Sequence, residues 1–130
     1  MPPELQHVLV VEDDPDIQAI VRLALESIGG FTVAVASNGR EALEIAPAFG
    51  PDLVLLDVMM PELDGPSTLQ HLRRRPETAE TPVVFLTAKA QQHETEHYRT
   101  LGIADIIPKP FDPVVPPVQV RTIWEYCHAP

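Results

Sequence analysis

The side chains best suited to chemistry in this chain stand at the ends of short apolar runs. Glu12, Asp13 and Asp14 follow Val8-Leu9-Val10-Val11, and Asp57 closes Leu53-Val54-Leu55-Leu56. Thr87 closes Val83-Val84-Phe85-Leu86, and Lys109 lies just beyond Ile106-Ile107. Carboxylates gathered at one place repel by up to roughly 4 kcal/mol per pair at about 4 Å under an effective dielectric near 20. Such a cluster either raises a pKa or recruits a cation. Mg²⁺ answers this well, because it binds through one or two carboxylates and shares its other positions with water and phosphate oxygens. A phosphoryl group on Asp57 would add negative charge and strong acceptor oxygens. The cation would neutralise one side of it, Lys109 could pair with a second oxygen, and Thr87 could donate a hydrogen bond to a third. Phosphoryl transfer asks mainly for positioning and charge neutralisation, and these parts supply both. Acids also favour helix N-termini, and that simpler role suits Asp14, just before Pro15. It leaves Asp57 unexplained.

The elements that must position these residues follow from the hydrophobic pattern. Five apolar runs recur, the second being Thr32-Val33-Ala34-Val35-Ala36, and most do not alternate with polar residues. Continuous apolar runs are what strands need when helices cover both faces of a sheet. Between them, Ile17, Ile20, Val21, Ala24, Leu25 and Ile28 trace one helical face, stopped by Gly29-Gly30. Asn38 with Glu41 resembles a capping box for a second helix, which Pro47 and Gly50-Pro51 close. Pro66 suits a first helical position, and Pro76 ends that segment. A polar helix spans Gln91 to Leu101 with Gly102 behind it. A last one runs from about Pro117 to Tyr126, offering Val118, Ile123 and Trp124 for burial; the Pro113 and Pro116-Pro117 cluster obscures its start. Strand and helix alternate five times, which predicts an α/β fold: a doubly wound parallel sheet with right-handed crossovers and helices on both faces. Ligands of such sheets bind at the carboxyl ends of the strands, where the reactive residues fall.

Composition narrows the class. The 130 residues read as one domain, 1–130, with a core of about 7–126. With 45% hydrophobic and 22% charged residues the chain is ordinary globular protein rather than disordered. Nine basic against nineteen acidic residues give a net charge of −10, which argues against gripping a nucleic-acid backbone. It suits cations or basic protein faces. No run approaches the roughly 18 apolar residues of a membrane span, and Met1-Pro2-Pro3-Glu4 lacks the regions of a signal peptide. Cys127 is the sole cysteine and forms no internal disulfide. These features read as a cytoplasmic protein. His93 and His97 share a helical spacing but lack an evident third ligand, so they read as surface histidines. Arg73-Arg74-Arg75 sits near a helix end, where positive charge suits the dipole.

The segments Val10-Val11-Glu12-Asp13-Asp14-Pro15, Leu55-Leu56-Asp57-Val58-Met59-Met60-Pro61 with Asp64-Gly65, Leu86-Thr87-Ala88-Lys89 and Lys109-Pro110-Phe111 together resemble response-regulator receiver domains of two-component signalling. The resemblance covers about Val8 to Trp124. It implies a five-stranded sheet of flavodoxin-like order 2-1-3-4-5, with Asp57 as phosphoacceptor in a phosphorelay. It also implies Mg²⁺ held by Asp13, Asp57 and the backbone carbonyl of Met59, with Glu12 acting mostly through water. Thr87 and Lys109 would contact the phosphoryl group, Ala88 would leave room for it, and Lys109-Pro110 would be cis. The donor would be a histidine kinase or histidine phosphotransfer protein, and a downstream protein would read the face formed by the last two helices and the fifth strand. Such a chain catalyses only its own phosphorylation and slow dephosphorylation.

One departure from the family stands out. Receivers usually carry an aromatic residue three positions before the lysine, and here that position is Ile106. The chain could therefore be a receiver-like adaptor with a weak phosphorylation switch or none. A phosphatase resembling the haloacid dehalogenase group also uses Asp, Mg²⁺, a hydroxyl and Lys. Those enzymes generally place a second Asp two residues after the nucleophile, where this chain has Met59. The phosphoacceptor and phosphatase readings require a carboxylate at position 57 that a reactant can reach; the adaptor does not.

Overall fold

The computed structural model describes residues 5–60, 63–88, 92–109, 112 and 114–127, with backbone alone for 92–95 and 127. Five strands alternate with five helices: β1 (His7–Val11), α1 (Pro15–Ser27), β2 (Thr32–Ala36), α2 (Gly39–Phe49), β3 (Leu53–Asp57), α3 (Gly65–Arg73), β4 (Val83–Thr87), α4 (Gln92–Arg99), β5 (Asp105–Pro108) and α5 (Val115–Cys127). All neighbouring strands pair in parallel, in the order β2-β1-β3-β4-β5. The predicted doubly wound sheet is thus the observed one.

The apolar strands lack polar alternation because both sheet faces are covered, and successive residues serve different cores. Val8 and Val10 of β1 face a cluster with Val21 and Leu25 of α1 and Val120, Ile123 and Trp124 of α5. Leu9 and Val11 face the opposite cluster, with Ala42 and Ala46 of α2 and Leu69 and Leu72 of α3. Each fully buried Val or Leu contributes roughly 1.5–3 kcal/mol over its exposed state. The stripe expected on α1 is wider than the buried one. Val21, Ala24 and Leu25 are covered, while Ile20 and Ile28 remain exposed, because the sheet contacts only a narrow arc of the helix.

Side-chain caps start three of the helices. Asp14 accepts from the amides of Asp16 and Ile17, Asn38 from Glu41 and Asp64 from Ser67. The Glu41 carboxylate reaches the Ser37 amide, one residue earlier than a capping box requires. Gly50, at φ +65°, ends α2 in the left-handed region that side chains avoid.

The α4 helix ends at Arg99 rather than Leu101, and two boundaries near prolines also differ from the sequence reading. Pro47 does not close α2, which continues to Phe49. Proline has no N–H for the carbonyl four residues back, that of Leu43. The Arg75 guanidinium donates to that carbonyl instead, at 2.7 Å. Arg73 likewise donates to the carbonyls of Thr78 and Thr81, so two of the three consecutive arginines staple the fold from within. The last helix starts at Val115 rather than Pro117, with Pro116 and Pro117 inside its first turn. The first N–H groups of a helix have no partner within it, so Pro116 and Pro117 forfeit no bond there. Asp112 sets the entry, its side chain accepting from the Val114 amide and its carbonyl from Val115. Val118 faces solvent, and Val120 takes the buried place expected of it.

Arg75→Met is expected to lower stability by roughly 1–3 kcal/mol in urea unfolding, the cost of orphaning a partly buried carbonyl. In a Pro47→Ala background the loss should shrink, since a restored amide can bond Leu43. An equal loss in both backgrounds would show that the guanidinium does not serve this carbonyl.

Candidate functional site

Parallel strands deliver their carboxyl ends to one edge, and the predicted residues meet there. Glu12 extends β1, its amide donating to the Ala36 carbonyl of β2 at 3.0 Å. Its side chain turns into the protein and is fully buried. One oxygen accepts the Asp14 amide at 3.2 Å, and the other accepts the Lys109 ammonium. Lys109 also lies 3.3 Å from Asp57 Oδ1, so one ammonium is shared by two carboxylates. Asp57 Oδ1 further accepts the Met59 amide at 3.2 Å. Asp13 is exposed, yet Glu12, Asp13 and Asp57 each offer an oxygen within 4.8 Å of the others. Asp14 caps α1, the simpler of the roles open to it.

Strand register fixes the remaining parts. Asp57 stands opposite Leu86 of β4, which puts Thr87 one residue further along the same edge. Thr87 is buried, and its carbonyl accepts the Lys109 amide at 2.8 Å, which anchors the lysine after β5. Met59 is 56% exposed beside the site. Ala88 is also exposed. Ile106 sits in the core opposite Phe85. Lys89, the Lys109-Pro110 bond, Phe111 and Pro113 lie outside the described residues, as does the side chain of His93; His97 is exposed.

In one respect the site is tighter than expected. The Asp57 side chain is only 4% exposed and Lys109, at 13%, lies against it. Among the described residues, the Lys109 side chain is thus one of the groups that cover the carboxylate. Parallel strands buried on both faces draw their last residues down with them.

The charges act on one another strongly. Burial pushes the Glu12 carboxyl from 4.5 up to about 7, helped by Asp57 and opposed by the bonds from Lys109 and the Asp14 amide. Burial works against the Lys109 ammonium, but its bonds to Glu12 and the charges of Asp57 and Glu12 outweigh that and raise its pKa.

Gly65 is a site residue that the sequence reading quoted without giving it a task. A Cβ there would lie 2.8 Å from both the Asp57 carbonyl and Val58 Cα, so the start of α3 closes against the acceptor's own backbone. The Gly65 amide donates to the Val58 carbonyl at 3.0 Å. Its φ is not left-handed, so no turn type announces the need for glycine; only the close approach does.

The family model for the response regulator receiver domain matches residues 8–115. The chain belongs to that family. An uncharacterized 14.6 kDa protein of Leptolyngbya boryana is 36% identical over 122 residues, covering 94% of this receiver and 90% of the relative. The response regulator SaeR of Staphylococcus aureus is 35% identical over 109 residues, or 84% of this receiver, which spans 46% of SaeR's length. Among solved structures, the chemotaxis protein CheY4 of Vibrio cholerae superposes with a TM-score of 0.85 at 27% identity, over 92% of this chain and 99% of that one. The receiver domain of sensor histidine kinase PA1611 from Pseudomonas aeruginosa gives 0.78 at 29% identity, over 95% and 97%, and carries a magnesium ion in its active-site cleft. Receivers generally bind Mg²⁺ in an acidic pocket, and three hard carboxylate oxygens at this spacing fit such an ion. Among the described residues no helix is long and apolar enough to cross a membrane.

In the metal-free protein the Glu12 carboxyl is expected to titrate near 7 by carbon NMR. Lys109→Met should move it higher and Asp57→Asn lower, and no movement in either variant would overturn the pairing. The unfolded chain releases this proton near 4.5 and the folded chain near 7, so Glu12's contribution to stability should fall as pH rises through that window.

Proposed function

We propose that this receiver accepts a phosphoryl group on Asp57 from the phosphohistidine of a histidine kinase or histidine phosphotransfer protein. The observation that carries the reading is the single Lys109 ammonium shared by Glu12 and Asp57, with an Asp13 oxygen within 4.8 Å of both acids. Asp13, Asp57 and the Met59 carbonyl would hold Mg²⁺, with Glu12 acting through water. A bound ion would offset charge on the acceptor and phosphoryl oxygens.

The residues divide the work. An Asp57 oxygen bonds to phosphorus as the phosphorus–nitrogen bond breaks, and the electron pair leaves with the donor imidazole, which takes up a proton. Lys109 swings from the carboxylate to a phosphoryl oxygen, keeping its charge paired throughout, and the Thr87 hydroxyl donates to another. The small Ala88 leaves room beside them. Water later attacks phosphorus and Asp57 departs as carboxylate, which resets the site. The chain would act on no external substrate, because Met59 stands where a phosphatase would hold its general acid. A net charge of −10 favours basic faces on the partners, in keeping with cytoplasmic signalling.

Acetyl phosphate with Mg²⁺ should add one phosphate per chain, read by intact mass. Asp57→Asn or chelation of the metal should abolish labelling, and Lys109→Ala should slow it by roughly a hundredfold. Undiminished labelling of Asp57→Asn refutes the assignment. Repeated turnover of a phosphomonoester would revive the phosphatase. Normal labelling with unchanged partner affinity would instead favour the adaptor, a reading that Ile106 sustains.

A further inference from the structure

Ile106 cannot act as an aromatic switch, yet an aromatic ring from another element packs against the same core cluster. The sequence of α4, Gln92-His93-Glu94-Thr95-Glu96-His97-Tyr98-Arg99, contains one apolar residue, Tyr98. Glu96, His97 and Arg99 are exposed, whereas Tyr98 is half-buried and packs against the core cluster of its face. Its ring meets Phe85 of β4 edge-on, with centroids 5.4 Å apart and planes at 81°. Phe85 is fully buried and pairs with Ile106 across the sheet. It also lies two residues before Thr87, and side chains two apart on a strand point to the same face. The ring of Tyr98 therefore rests on the strand that ends at the proposed phosphoryl site, over the face toward which Thr87 points.

Next to this ring is a polar tie. Arg99 lies 3.5 Å from Asp105 of β5, and the other Asp105 oxygen accepts from Gln119 of α5 at 3.1 Å. The Arg99 and Asp105 side chains are 56% and 31% exposed, so this pair is screened by water and holds the helix weakly. Isolated helices shorter than about 12 residues are marginal in water, so an eight-residue helix owes its order to docking. Elements with few apolar contacts are those that open locally at low cost.

We infer that Tyr98 is the pin that docks α4 on the sheet, and that its seat on Phe85 is the element through which the state of Asp57 changes the α4 surface. This rests on the phosphoacceptor reading. Movement of Thr87 toward a phosphoryl group displaces the strand end next to Phe85. A short helix with a single apolar side chain then shifts between two populations, docked and loosened. The coupling needs no aromatic at position 106.

Hydrogen exchange of the α4 amides, read by mass spectrometry together with intact mass, tests this in the full chain. In the wild type, acetyl phosphate with Mg²⁺ should add one phosphate and change α4 exchange at least threefold. Tyr98→Ala should still take up phosphate within twofold of the wild-type rate and keep its strand amides protected. Its α4 amides should exchange at least tenfold faster with or without the donor. Tyr98→Phe, which keeps the ring, should retain the donor-dependent change in α4 exchange. If Tyr98→Ala is labelled and its α4 exchange still follows the donor, the pin is overturned and the phosphoacceptor reading survives. If the wild type takes up no phosphate, that reading fails and the inference falls with it.

Discussion

One ammonium between two carboxylates, at the edge of a sheet that has excluded most water, is the interaction to which this architecture is bent. Charges removed from water are tolerated only when paired and hydrogen-bonded, and each of the three here has partners. Lys109 neutralises Glu12 and Asp57 at once, while the Asp14 and Met59 amides take further lone pairs. The pairing spans 97 residues of sequence between Glu12 and Lys109. It is available only because β1, β3 and β5 run in the same direction and end at the same level. A partner that replaces the lysine must bring its own compensation, as a cation with a phosphoryl group would under the proposed function.

The rest of the fold serves that edge. Two cores on opposite faces bury the strands, so residues at their carboxyl ends inherit low exposure and strong mutual fields. The raised Glu12 pKa is one result and the narrow access to Asp57 is another. Close approach is part of the same economy of space: α3 begins hard against the Asp57 backbone because position 65 carries no side chain. Elements away from the edge are held by ordinary means, such as side-chain caps and the arginine staples.

Stability is spread unevenly. The helices α1, α2, α3 and α5 each place two or more apolar residues in a core, whereas α4 has a single apolar residue, Tyr98, to place there. Aromatic pairs set edge-on add about 0.5–1.5 kcal/mol beyond the area they bury. That is enough to seat a short helix and too little to fix it. The polar composition of α4 and the bridge from Arg99 through Asp105 to Gln119 place this loosely held element at a face shared with β5 and α5.

The order of elements, the parallel sheet and the identity of the clustered residues were legible in the amino-acid sequence, because they follow from local pattern. Short apolar runs without alternation, separated by helical patterns, suit strands covered on both faces, and acids, hydroxyl and lysine at their ends share one edge in such a sheet. Asp14 as a cap and Asn38 as the start of α2 were legible for the same reason, since capping is read within four residues. What the fold alone decided depends on partners distant in sequence. Pro47 stays inside a helix because Arg75 reaches back to Leu43, and no local rule contains that arginine. Gly65 is required because the start of α3 folds back against the backbone at the end of β3, a close approach that no local rule announces. The burial of Asp57, the sharing of Lys109 and the seat of Tyr98 on Phe85 are likewise matters of which surfaces meet. Spacing along a chain sets which face a side chain takes, but only packing sets what lies opposite it.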